Sequence, residues 1–75
     1  MNRQHWLAAF AERLGAEAPD EATVAMLLDV AGVAAHGSER TAAPIACWLV
    51  GRAGLDPASA LELAEHIAPT ADDES

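Results

Sequence analysis

The chain is expected to fold as an all-α, compact four-helix domain, and three observations carry that expectation. Gly and Pro divide the 75 residues into four segments, each with apolar residues at helical spacing. No stretch alternates apolar and polar side chains for long enough to suggest a strand. Ala, the strongest helix former, occupies 19 positions. The connections are short, which favours antiparallel neighbours. The helices are placed at about 3–14, 20–36, 43–53 and 57–68, in one domain over 1–69. A disordered acidic tail is expected over 70–75.

Each helix has its own start and stop signals. Asn2 can cap the first, Trp6, Leu7, Phe10 and Leu14 share a face, and Gly15 can end it in the left-handed conformation. Pro19 and Asp20 open the second. Pro is tolerated in a first turn because its missing N–H has no partner there, and Asp20 and Glu21 suit the positive end of the helix dipole. Val24, Leu27, Leu28, Ala31, Ala34 and Ala35 mark its stripe, and His36 and Gly37 close it. The third opens at Ala43 and Pro44, with Ile45, Trp48, Leu49 and Arg52 on one face. Gly51 inside it costs about 1 kcal/mol against Ala and suggests a close helix crossing. The fourth begins with Asp56 as cap and Pro57 as the first helical residue. Its inner stripe is expected to be Ala60, Leu63, Ala64 and Ile67, with Leu61 beside it, and Pro69 stops it. Trp6, Phe10 and Trp48 fall at helical spacing with Leu and Ile, so they are assigned to the core first, with one Trp partly exposed at an interface as the alternative.

Composition narrows the function classes. Four basic residues, all Arg, face twelve acidic ones, for a formal charge of −8. Phosphate backbones and anionic lipid surfaces attract basic patches, so neither nucleic acid nor membrane is an expected partner. The third helix also lacks the basic and amide side chains of a DNA-reading helix. Its apolar run, Ala42 to Val50, is about half the length a bilayer needs. The first ten residues lack the layout of a signal peptide, and one cysteine forms no internal disulfide, so a cytoplasmic location is expected. An Ala-rich core is thin. That makes a protein partner or self-association the expected source of extra burial.

Chemistry-bearing residues concentrate between the second and third helices. His36, Ser38, Glu39, Arg40, Thr41 and Pro44 form a compact polar junction. One reading is a small anion, such as a nucleotide or pterin phosphate, held by Arg40, Ser38, Thr41 and the amides opening the third helix. The competing reading is a capped helix junction, with Ser38 or Thr41 as cap and Arg40 paired to Glu39 or Asp29. Asp29 and His36 are seven residues apart and so share a face of the second helix. His5, His36 and His66 have no paired ligand spacing, and Cys47 has no base beside it in sequence. No metal, no cofactor and no catalytic residue are therefore expected.

The stretch LLDVAGVAAHGSERTAAPIACWLVGRAG resembles a small bacterial domain family found with, or attached to, molybdopterin-guanine dinucleotide biosynthesis proteins. The resemblance rests on Leu27, Leu28, Asp29, Ala35, His36, Glu39, Arg40, Ala42, Ala43, Pro44, Leu49 and Gly51. Members often carry Pro after the Glu-Arg pair, where this chain has Thr41. The resemblance implies an accessory role near the nucleotidyl-transfer step of molybdenum cofactor maturation. The chain has no Gly-rich nucleotide-binding segment after a strand, as a guanylyltransferase requires. A noncatalytic accessory or protein-interaction domain is thus the leading expectation, and a small-ligand binding domain the alternative.

Overall fold

A computed structural model describes residues 2–67. It has four helices, α1 (Arg3–Leu14), α2 (Glu21–Gly37), α3 (Ala42–Ala53) and α4 (Pro57–Glu65), with no strand among the described residues. The expected tail, 70–75, lies outside them.

Local chemistry sets the helix starts. The Asn2 side chain accepts a hydrogen bond from the His5 amide at 2.8 Å, and Asp20 accepts from the Thr23 amide at 2.8 Å. Asp56 accepts from the Ser59 amide at 3.0 Å, and the Ser59 hydroxyl donates to it at 2.9 Å. These bonds satisfy amides that have no partner inside their own helix. The bonds to Asp20 and Asp56 also favour the charged form of those two caps. The Thr23 hydroxyl and then its amide hold the Asp20 carboxyl below its ordinary value, and the Ser59 amide and hydroxyl do so for Asp56.

The stops differ among themselves. Gly15 and Gly54 adopt φ of 76° and 71°, where a side chain would be strained, and close α1 and α3. Gly37 does not play that part. It is the last residue of α2, without positive φ, and the Ser38 amide that follows bonds the Ala34 carbonyl at 3.1 Å. The chain runs directly into the turn that begins α3, so no left-handed reversal is needed there. Pro19 lies outside α2, because Asp20 is the cap rather than the first helical residue. α4 ends at Glu65, short of the expected 68. The His66 and Ile67 amides take tighter bonds to Leu63 and Ala64, each 3.1 Å. The His66 ring also contacts the Glu62 carbonyl at 2.7 Å through Nδ1. A carbonyl only accepts, so Nδ1 carries the proton in that bond.

α2 is the centre of the fold. α3 and α4 pack along it, and α1 has no packing partner of comparable extent. α1 meets α2 around the half-buried Leu7 and through a hydrogen bond from Gln4 Nε2 to Glu21, and its Ala11 is buried. The buried apolar residues among those described are Ala11, Val30 and Ala60. Two of the three are the smallest side chain with a Cβ, so the helices meet on a seam of small residues.

That seam overturns part of the expected core. Trp6, Phe10 and Trp48 are 54%, 47% and 63% exposed. On α3 the half-buried side carries Ala46, Cys47 and Val50, while Ile45, Trp48 and Leu49 share the exposed face. A helix turns only one face to its neighbour, and here the small-residue face occupies that position. On α4 the less exposed stripe is Pro57, Ala60, Leu61 and Ala64. Leu63 and Ile67, expected inside, are exposed. Leu28 of α2 is exposed as well.

Candidate functional site: a groove between α2 and α4

Helical spacing puts Leu28, Gly32 and His36 in line along α2, with Asp29 and Val33 beside them. α4 brings Leu61, Ala64 and Glu65 to the facing wall, and Ile67, just beyond it, also lines the groove. Together they enclose a groove of about 790 Å³. Its walls are apolar. Its rim carries Asp29, His36, Ser38 and Glu65, two of them carboxylates, and no Arg. Gly32 opens the α2 wall, since a Cβ there would meet no atom within 4 Å. A second cleft of about 320 Å³ separates α1 from the first turns of α2, between Arg3, Gln4 and Leu7 on one side and Glu21, Val24 and Ala25 on the other. Leu28 lines both clefts.

The polar junction singled out in the sequence is divided by the fold. His36 and Ser38 reach the groove rim, and Asp29 joins His36 there as their spacing required. Glu39, Arg40, Thr41 and Pro44 do not line it and are exposed. Thr41 stands at the N-cap of α3 without a side-chain cap bond. The first amides of α3 are engaged: Ala42 bonds the Glu39 carbonyl at 2.9 Å and Ala43 the Arg40 carbonyl at 3.1 Å. Pro44, next in line, has no N–H to offer. Few backbone donors remain for an anion at this helix start.

The α4 wall was not legible in the sequence. Glu65 is the last residue of α4. It is exposed, yet it borders the groove with Leu61 and Ala64. The available signal was Gly32, a helix-weakening residue in the middle of an otherwise strong helix. Cys47 Sγ lies 3.8 Å from the Leu27 carbonyl, a weak thiol contact between α3 and α2 that suits a small packing residue. Among the described residues no three His, Cys, Asp or Glu side chains are placed to hold a metal ion, and no helix is long and apolar enough to cross a membrane.

A central helix flanked by two others, with an open groove and a loosely held first helix, defines a small all-α domain. The chain belongs to the family described as a domain of unknown function, DUF6457, whose sequence pattern matches residues 1–74. No curated protein and no solved structure matches it.

Proposed function

We propose that this is a noncatalytic protein-interaction domain that acts as an accessory beside the proteins of molybdopterin-guanine dinucleotide synthesis. One observation carries the interaction reading. Bulky apolar side chains stand on the outer faces of α1, α3 and α4, while the buried set is Ala11, Val30 and Ala60. Single exposed apolar residues are ordinary, but several on the same helix faces mark contact surfaces. The pathway assignment is supported by the sequence resemblance of the α2–α3 region. The alternative, a nucleotide or pterin phosphate at the α2–α3 junction, has weaker support because the Ala42 and Ala43 amides are already bonded.

The test is calorimetric titration of the domain into a purified molybdenum cofactor guanylyltransferase. Micromolar binding that Trp48→Ala or Ile45→Ala weakens is the expected result. Absence of heat at about 100 μM of both proteins overturns the pathway assignment.

A further inference from the structure

We propose that the groove between α2 and α4 is filled by α1 of a second copy of this chain, in a reciprocal two-fold dimer. The proposal rests on reading the exposed apolar faces as interfaces, but not on any pathway partner.

α1 supplies the knob. Arg3, Trp6, Phe10, Arg13 and Leu14 are spaced by three or four residues, so they share one face. That face is exposed, and the Trp6 and Phe10 rings lie 5.1 Å apart on it, centre to centre. It holds two of the chain's four basic residues. The one acid of α1, Glu12, lies on the opposite side by helical spacing.

The groove supplies the complement. Its walls are Leu28, Gly32, Val33, Leu61 and Ala64, and its carboxylates are Asp29 and Glu65. An apolar strip bordered by Arg thus meets an apolar channel bordered by acids, which is the arrangement that steers and orients docking. Lengths agree as well. At about 1.5 Å per residue, Arg3 to Arg13 spans about 15 Å and Leu28 to Gly37 about 14 Å. The missing Cβ at Gly32 leaves room for a close helix approach, and no other element among the described residues uses that room.

Symmetry makes the contact reciprocal. α1 lies beside the first half of α2, and the groove lies along the second half. A two-fold axis near Leu28, which lines both clefts, sets two α2 helices antiparallel. Residue 24 of one copy then lies level with residue 32 of the other, so each α1 falls over the other copy's groove. The same patch serves on both copies, as a closed dimer requires. Trp6, Phe10, Leu14, Leu28 and Ile67 are 54%, 47%, 64%, 51% and 72% exposed. Covering them together with the Arg stems removes on the order of 700 Å² per copy, close to the roughly 800 Å² of a stable interface.

The experiment is sedimentation velocity on the full chain up to about 500 μM, at low and high salt. The expected species has twice the 7.8 kDa chain mass and weakens as salt rises. Phe10→Asp and Gly32→Met, one on each side of the contact, should each weaken it by about tenfold or more. Gly32→Met leaves α1 untouched and improves helix propensity, so retained helical circular dichroism separates lost docking from lost folding. Arg13→Glu should be partly rescued by Glu65→Arg. A monomer throughout the range overturns the proposal, and so does a dimer that both variants leave intact. A monomer that still binds the guanylyltransferase overturns the dimer alone and keeps the functional reading.

Discussion

α1 and α3 are the same length, 12 residues, and look alike locally. Both end on a left-handed Gly, and both expose a face with Trp and other large apolar side chains. Their tertiary fates differ. α3 packs along α2 and α1 does not. The difference lies on the side turned inward. α3 offers Ala46, Cys47 and Val50, a row of small and medium residues over which α2 can settle closely, whereas α1 buries Ala11 alone and adds Leu7 and a polar bond from Gln4 to Glu21. Helix formation and helix anchoring are therefore separate properties here. Large side chains do not decide which face is inside when a smooth small-residue face competes for that place.

The strongest way to break the comparison is to damage the seam on α2. Val30 is 2% exposed, and Val30→Ala should cost about 2 kcal/mol, seen as a lower urea midpoint. The matching truncation on an outer face, Trp48→Ala, should cost less than about 0.5 kcal/mol in the isolated monomer. A large loss there would mean that Trp48 is packed after all.

The two left-handed glycines sharpen it. Gly54→Ala forces a side chain into φ of 71° at the α3–α4 corner and should lower global stability by about 1–2 kcal/mol. Gly15→Ala carries the same local strain but should mainly fray α1. Amide hydrogen exchange distinguishes the two: α1 amides should exchange through local opening in both the parent and the variant, and those of α2 only through global unfolding.

Gly51→Ala should act in the opposite direction. A Cβ at Gly51 meets nothing within 4 Å, so thermal unfolding should show a gain of about 1 kcal/mol from helix propensity. The crossing that Gly51 suggests in the sequence is thus not made among the described residues.

The smallest expected effect is on pH. The folded carboxyls of Asp20 and Asp56 lie below the ordinary 3.8. The stability each cap contributes is therefore complete above that value and is lost as pH falls through the lowered folded value. Acid titration of helicity should show this loss below about pH 4, and Asp56→Asn, which can still cap, should make it shallower.

Much of the backbone was legible from local rules. Asn2 and Asp56 announce two helix starts, and Asp20 caps a third although the sequence placed it inside the helix, because in each case a side-chain oxygen reaches an amide three residues on and needs nothing from the rest of the molecule. Gly15 and Gly54 announce two stops for an equally local reason, the conformation open to a residue without Cβ. α4 ends earlier than the spacing suggests because the His66 ring and the tightened last turn take up its final carbonyls. Of the candidate site, Asp29, His36 and Ser38 could be grouped from α2 alone, and Arg40, Thr41 and Pro44 were grouped with them only by nearness in sequence.

The sequence by itself determined the helices, their order, most of their ends and the excess of negative charge, because these depend on residues within a turn of one another. Only the tertiary structure decided which face of each helix is inside, which bulky residues face outward, and that α4 completes the groove with α2. Those outcomes depend on how closely helices approach over Ala, Val and Gly. Periodicity marks the apolar faces of α3 and α4, but it does not choose between a small face and a large one.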